Sequence, residues 1–206
     1  IMNHGLLGLK MHSDCQVFPI DDPRLFPVYD MVQDKLPILF HMGDQRYDYS
    51  HPARLRKVLD LFPKLRVIAA HFGGYTMYEL AAEELKDKDC FFDVSSSLMF
   101  MKEGVAEKYI NRHGAERFVY GSDFPMWNPV VEMERFQQLK LTDAQKEQSG
   151  ICRDPNDQCG SAILFNGCYD RDSRTDRNRT TDSGGYCIKR MDHHFVEMLG
   201  DMFTGA

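Results

Sequence analysis

The sequence predicts an α/β protein whose parallel β-sheet forms part of a (β/α)₈ barrel. Short apolar segments alternate with segments of helical spacing throughout residues 1–148. The repeating unit is about 30 residues long, as expected for a strand followed by a crossover helix. Polar side chains follow the apolar segments, at the strand ends where a barrel carries its chemistry.

Five strands and five helices are predicted. The strand segments are short and apolar at successive positions, which indicates burial on both faces of a parallel sheet. They cover residues 6–11, 36–40, 65–70, 90–94 and 117–120. In the segments between them, apolar residues recur at the three- and four-residue intervals of an amphipathic helix. These helices cover residues 22–35, 51–62, 75–86, 102–113 and 131–139.

A doubly wound sheet is the alternative arrangement. Such a sheet would carry a glycine-rich phosphate-binding turn, but the sequence contains no G-x-G-x-x-G. A barrel instead gathers polar residues at the carboxyl ends of its strands, and the sequence has five such groups: His12, His41, His71, Ser95 to Ser97, and Asp123. A barrel is therefore favoured. Because five units are three short of eight, we predict strands four to eight of a barrel.

The composition of the sequence changes after residue 148. Residues 171–185 are polar, rich in charge and poor in aliphatic side chains, which predicts disorder. Residues 191–202 form one short amphipathic segment. We therefore divide the chain into a partial barrel, residues 1–148, and an atypical, largely disordered tail, residues 149–206. A shifted reading frame and an unrelated extension both account for such a tail.

Composition excludes two classes of partner. There are 25 basic and 31 acidic residues, interleaved, with a net charge of −6, and this disfavours nucleic acid. No apolar run approaches the ~20 residues that cross a bilayer. The sequence opens without a signal peptide, and its six cysteines contain no C-x-x-C pair. We therefore expect a cytoplasmic protein with reduced cysteines.

Two histidines are the first candidate metal ligands. His41 and His71 each end an apolar strand and are followed by glycine within two residues. Their strands are predicted to be neighbours, so both side chains should face the same barrel mouth. Neutral imidazole is the most common metal ligand in proteins. The alternative is that each histidine only caps its loop through hydrogen bonds.

Asp123 is the third candidate. It lies at the end of the fifth predicted strand, where a carboxylate can bind a metal or act as a general base. The alternative is an aspartate that caps a turn before Pro125. Catalytic zinc sites use three protein ligands and leave one position open. Together with His41 and His71, Asp123 predicts a divalent metal site, with zinc as the expected ion.

Two further residues are candidates for binding a small-molecule substrate. Arg46 follows His41 closely, and a guanidinium can pair with a substrate carboxylate through two hydrogen bonds. Trp127 is the single tryptophan and follows Asp123 on a predicted loop. It could stack on the substrate or anchor the loop, and the sequence supports both roles equally.

Six short motifs, taken together, resemble the amidohydrolase-related family of metal-dependent TIM-barrel hydrolases, lactonases and decarboxylases. They occur in order and at natural spacing between residues 3 and 148. The motifs are GLKMH at 8–12, LFHMG at 39–43, HPARL at 51–55, FPKL with AHFGG at 62–74, FDVSS at 92–96 and GSDFP at 121–125.

The resemblance implies a role for each matching residue. His41 corresponds to the metal-binding histidine of the fifth strand, and His71 to the sixth-strand histidine that binds metal or polarises the reacting group. Asp123 corresponds to the eighth-strand aspartate, a metal ligand and proton shuttle. Lys10 and His12 fall in the fourth-strand motif beside the substrate. Lys10 is either a carboxylated, metal-bridging lysine or, as we prefer, a structural lysine that lines the barrel.

The implied activity is hydrolysis or decarboxylation of small organic acids, amides or lactones. Two departures give an alternative. The family's first strand carries a His-x-His pair, which is absent from this sequence, and strands one to three have no counterpart. The sequence also does not begin with Met. An incomplete, inactive piece of such an enzyme is therefore the second hypothesis, and a homodimer is a candidate assembly. A non-enzymatic binding module has little support.

Overall fold

The computed structural model describes residues 8–149, in which five strands alternate with helices. The strands are β1 (Leu9–Met11), β2 (Ile38–Phe40), β3 (Val67–Ala69), β4 (Phe91–Asp93) and β5 (Phe118–Val119). The α-helices are α1 (Ser13–Gln16), α2 (Phe26–Val32), α3 (Pro52–Leu61), α4 (Tyr78–Glu84), α5 (Val105–His113), α6 (Pro129–Gln137) and α7 (Asp143–Gln148). Three short 3₁₀-helices lie at Pro23–Leu25, Tyr75–Met77 and Ala115–Arg117. The predicted disorder and helix in the tail fall on residues outside this range.

The five strands form one parallel sheet in the order β1-β2-β3-β4-β5. Leu39 of β2 lies opposite Lys10 of β1 and Ile68 of β3. A doubly wound sheet reverses its strand order at a switch point, whereas here the spatial order follows the sequence order throughout, as in a barrel. The structure confirms the predicted α/β fold with part of a (β/α)₈ barrel.

Burial depends on the position of each strand in the sheet. All residues of β2, β3 and β5 are buried, as predicted for strands covered on both faces. The same prediction is wrong for β1, in which Leu9 and Met11 are half-buried and Lys10 is exposed. β1 is one edge of the described sheet and is open to solvent. At the other edge, the segment after α7 pairs with the end of β5, where the backbone N–H of Tyr120 donates to the carbonyl of Ser149.

Helix α3 shows how the helices cover the sheet. The sequence places Leu55, Val58 and Leu59 on one face, and all three are buried in the core. Burial of each such side chain contributes roughly 1.5–3 kcal/mol. The helix begins at Pro52, and the imidazole of His51 caps it by accepting a hydrogen bond from the N–H of Ala53.

Two short helices were not predicted. Helix α1 has four residues, which is too short to show a helical repeat. Helix α7 has no apolar stripe, but Thr142 and Gln145 form a capping box at its start, a signal that the sequence does contain. None of the helices within residues 8–149 is long and apolar enough to span a membrane. The cytoplasmic location and the homodimer stay predictions.

Candidate active site

The loops after β2 and β3 bring the two predicted histidines into contact. His41 follows β2 directly, and its backbone N–H donates to the carbonyl of Met11, so that the ladder with β1 continues to this residue. His71 lies two residues after β3, with a positive φ of 59°. The Nε2 atom of His71 lies 3.0 Å from the Nδ1 atom of His41.

The other side of the His71 ring determines which nitrogen carries its proton. The Nδ1 atom lies 3.0 Å from the carbonyl oxygen of Ser95. A carbonyl oxygen can only accept, so Nδ1 is the protonated nitrogen and Nε2 carries a free lone pair. A backbone carbonyl that holds the second ring nitrogen is typical of metal-binding histidines.

Both imidazoles are held neutral. Burial lowers the pKa of His71, and the charge of Asp93 partly opposes this effect. Burial also lowers the pKa of His41 to about 2, and the neighbouring ionisable groups His71, His12 and Lys10 lower it further. The neutral ring is the form that binds a metal ion.

Asp93, at the end of β4, supports His71 from below. One of its carboxylate oxygens accepts hydrogen bonds from the backbone N–H of His71 at 3.1 Å and from that of Ser95 at 2.9 Å. The hydroxyl of Ser95 donates to the same oxygen at 2.6 Å. Asp93 therefore fixes both loops around the His71 ring. Asp93 lies in one of the six motifs, but no role was predicted for it from the sequence.

Asp123 lies beyond β5, with a φ of 55°. Its Oδ2 atom accepts a hydrogen bond from the hydroxyl of Ser96 at 2.7 Å. That hydroxyl oxygen in turn accepts from the indole N–H of Trp127 at 2.8 Å. Trp127 therefore anchors its loop to Ser96, and Ser96 orients the carboxylate. Ser96 therefore belongs to the candidate site, although the sequence indicated it only as part of a polar cluster.

Lys10 lies at the opposite edge of the sheet from Asp123. Solvent reaches it from the open edge, but the surrounding protein still removes enough hydration to lower the pKa of its ammonium group. The charges of Asp93 and Asp123 oppose this shift. Lys10, Asp93 and Asp123 therefore share one electrostatic environment.

Arg46 points away from this environment. Its side chain is 73% exposed, and its guanidinium forms a two-pronged pair with the carboxylate of Asp44, with a shortest distance of 2.5 Å. The pairing raises the pKa of Arg46. A substrate carboxylate would have to compete with Asp44 for this group.

An aromatic ring that the sequence analysis missed faces the two histidines. The ring of Tyr75 lies 5.7 Å from that of His71 and 6.2 Å from that of His41, measured between centroids. Phe100 lies next to Tyr75 and packs edge-on against Trp127, at 6.2 Å. The three aromatic side chains form a wall from the histidine pair toward the Asp123 loop. In the sequence, the position of Tyr75 directly after the two glycines of the His71 motif is the local feature that could have indicated its place beside the histidines.

The donor atoms suit a divalent metal ion. His41 and His71 offer two neutral imidazoles in contact, and Asp123 offers a carboxylate on the same side of the sheet. One trio in the described part of the chain has its donor atoms within 4.8 Å of one another, and it consists of His12, Asp14 and His41. Neither His71 nor Asp123 is in this trio, so the predicted ligands His41, His71 and Asp123 do not lie this close together. Asp123 is connected to His71 through charge rather than contact.

The fold and the site define a class of protein: an α/β-barrel protein with potential metal ligands at the carboxyl ends of parallel strands. The family match then identifies the chain. It belongs to the amidohydrolase family, which matches residues 2–154. No curated protein matches the sequence.

Solved structures show the same fold at low sequence identity. A TIM-barrel protein from Bordetella bronchiseptica is 22% identical with a TM-score of 0.56, and the match covers 64% of this chain and 48% of that one. 5-Carboxyvanillate decarboxylase from Sphingomonas paucimobilis is 15% identical with a TM-score of 0.54, and the match covers 70% of this chain and 56% of that one. A dihydroxybenzoic acid decarboxylase from a Polaromonas species was solved with manganese and 2-nitroresorcinol. It is 16% identical with a TM-score of 0.51, and the match covers 64% of this chain and 52% of that one. The chain spans about half the length of these proteins.

Proposed function

We propose that this chain carries the metal-binding half of a hydrolase or decarboxylase that acts on small organic acids, amides or lactones. The observation that carries the proposal is the contact between His41 and His71. The carbonyl of Ser95 holds the proton of His71 on the far side of the ring. The lone pair of Nε2 therefore faces the Nδ1 atom of His41 at 3.0 Å, where a cation can replace the hydrogen that the two rings share.

His41, His71 and Asp123 would hold the metal ion. When bound, a divalent ion supplies Lewis acidity, which lowers the pKa of a water molecule or orients a substrate oxygen. Zinc suits a set of two imidazoles and one carboxylate. Manganese is the alternative, because carboxylate-containing sites also accept it and the Polaromonas decarboxylase was solved with it.

The residues around the metal ligands have separate tasks. Ser96 leaves one oxygen of Asp123 free to accept and return a proton, because its hydroxyl occupies the other. The ammonium group of Lys10 attracts the carboxylate of an acidic substrate into the mouth. The ring of Tyr75 covers the histidines and reduces the access of water to the reacting atoms.

Metal binding tests the proposal. The purified 206-residue chain should bind close to one equivalent of zinc or manganese at this site, measured by calorimetry and elemental analysis. His71→Asn should abolish this binding, because it removes Nε2, the ring nitrogen whose lone pair faces His41. His51→Asn is the matched control and should bind like the wild type, since asparagine also caps helices. Equal metal binding by both variants would refute the assignment.

Catalysis is tested separately, and the same assay distinguishes the inactive-fragment hypothesis. Carbon dioxide release is measured from 5-carboxyvanillate and 2,6-dihydroxybenzoate, and ring opening from a panel of lactones. Turnover that disappears in Asp123→Asn would support an active enzyme. Stoichiometric metal binding without turnover of any compound would favour a piece that lacks the His-x-His strand.

A further inference from the structure

The buried carboxylate of Asp14 lies beside His41 and has no part in the proposed function as described so far. Asp14 lies in the first turn of α1, and its side chain is only 2% exposed. The hydroxyl of Ser50 donates to Oδ2 of Asp14 at 2.5 Å, and the backbone N–H of Ser50 donates to Oδ1 at 3.2 Å. A carboxylate can accept about four hydrogen bonds, so this oriented group can accept another.

The hydrogen bond between the two site histidines determines which nitrogen of His41 carries a lone pair. The Nε2 atom of His71 is an acceptor, because Nδ1 of the same ring donates to the carbonyl of Ser95. The 3.0 Å contact between the rings therefore requires a hydrogen on Nδ1 of His41. Since a neutral imidazole has one N–H, the Nε2 atom of His41 is left with a lone pair.

The contact between His41 and Asp14 has the length expected of two acceptors. The Nε2 atom of His41 lies 3.7 Å from Oδ2 of Asp14, beyond hydrogen-bond distance. The ring of His41 is held in this place by the imidazole of His12, which stacks on it with centroids 3.7 Å apart and planes 10° from parallel. His12 is itself fixed as the cap of α1, where its Nδ1 atom accepts from the N–H of Cys15 at 3.4 Å. A hydrogen on Nε2 of His41 would therefore find an acceptor in place.

We propose that Asp14 is a positioning residue that holds His41 in the tautomer required for metal binding. This inference rests on the proposed function, in which a cation replaces the hydrogen between His41 and His71. His41 then loses the hydrogen at Nδ1 to solvent and takes one up at Nε2, so the ring stays neutral. The new N–H donates to Oδ2 of Asp14. A carboxylate that accepts from the second nitrogen of a metal-binding histidine orients the ring and makes it a stronger ligand.

Asp14 is better suited to this role than Asp44, whose charge also acts on His41. The guanidinium of Arg46 donates to both carboxylate oxygens of Asp44. Asp14 is paired with no cationic side chain of this kind within the described residues, and its partner Ser50 is neutral. The negative charge of Asp14 is therefore available to a hydrogen on His41.

Histidine NMR and zinc affinity test the proposal on the 206-residue chain. Long-range ¹H–¹⁵N correlation spectra show which ring nitrogen carries the hydrogen, and zinc is diamagnetic, so the metal-loaded chain can be measured as well. The signals of His41 are identified by their absence in His41→Asn. We expect the hydrogen on Nδ1 in the metal-free chain. In the zinc-loaded chain it should lie on Nε2 and be shifted downfield by the hydrogen bond to Asp14.

Asp14→Ala should raise the Kd for zinc by about 10- to 100-fold and remove the downfield shift. Asp21→Ala is the matched control, because Asp21 is a similarly buried aspartate that pairs with Arg54 and Lys57 instead of a histidine. It should bind zinc like the wild type. If Asp14→Ala does not fold, Asp14→Asn keeps the size of the side chain and should raise the Kd by a smaller factor, since its acceptor is uncharged.

Equal zinc affinity in the Asp14 and Asp21 variants would overturn the role of Asp14. A zinc-loaded wild type in which His41 keeps its hydrogen on Nδ1 would overturn it as well, while leaving metal binding intact. Absence of zinc binding by the wild type would refute the proposed function, and the role of Asp14 with it. Circular dichroism of each variant verifies that the fold is intact.

Discussion

Replacing Ser96 by alanine probes the hydrogen bonds that orient Asp123. The Ser96 hydroxyl donates to Asp123 at 2.7 Å and accepts from the indole of Trp127 at 2.8 Å. The substitution removes both bonds while adding no atoms. Because Ser96 is only 5% exposed, water has little room to replace the missing hydroxyl. The carboxylate and the indole then each lose a partner.

The expected cost follows from the kinds of bond that are lost. A hydrogen bond to a charged group contributes about 1.5–3 kcal/mol and a neutral one about 0.5–1.5 kcal/mol. Asp123 and Trp127 both have some access to solvent, which compensates part of this loss. We expect the free energy of unfolding to fall by about 1–3 kcal/mol. Turnover in the proposed reaction should fall by roughly 10- to 100-fold, because a displaced carboxylate is no longer positioned to accept the proton.

Urea denaturation gives the stability change. Trp127 is the single tryptophan, so its fluorescence reports on the same hydrogen bonds and should change in the folded variant as well. Ser122→Ala is the matched control. The Ser122 hydroxyl is buried beside Asp123, but it has no hydrogen-bond partner within the described part of the chain, so its removal should cost little. Equal unfolding free energies and equal emission for the two variants would contradict the assigned role of Ser96.

Three further predictions concern the scaffold. Gly43→Ala should destabilise the protein by about 2 kcal/mol or more in urea denaturation, because Gly43 has a φ of 77° and an added Cβ would overlap the backbone of Gly74. Leu55→Ala should cost about 2–5 kcal/mol in the same assay, since Leu55 is fully buried. Burial and two nearby arginines lower the pKa of His113 from 6.5 to about 4. The contribution of neutral His113 to the free energy of unfolding is therefore complete above pH 6.5. It is lost as the pH falls toward 4, because the unfolded chain takes up the proton first. His113→Gln should flatten the pH dependence of the melting temperature in that window, and an unchanged slope would rule this out.

The fold was predictable because its strands are continuous apolar segments. Each predicted strand contains an observed one, and the regular alternation with helices was sufficient to indicate sequential strand order. The observed strands are only two or three residues long, because pairing is confined to the centre of each segment. Leu65, for example, is buried like a strand residue although it lies outside the ladder. An apolar sequence pattern predicts burial rather than strand pairing. Burial therefore extends beyond the hydrogen-bonded strand.

The site was less predictable, because several of its side chains are directed by unusual backbone conformations. The positions of His41 and His71 at the ends of neighbouring parallel strands were enough to anticipate that they would meet. The role of Ser96 depends on a turn instead. His71, Ser96 and Asp123 all have positive φ angles between 52° and 59°, which side chains other than glycine rarely adopt. No sequence pattern predicts such a conformation for histidine, serine or aspartate.

Hydrogen bonds link the carboxyl ends of four neighbouring strands into one row. His41, after β2, meets His71, after β3, at 3.0 Å, and the backbone N–H of His71 donates to Asp93 at the end of β4. Ser96 follows Asp93 by three residues and donates to Asp123 beyond β5. Because the spatial order of the strands follows their order in the sequence, each of these contacts joins neighbouring strand ends. The polar residues that follow the strands therefore form one continuous group, which is why their positions in the sequence were informative.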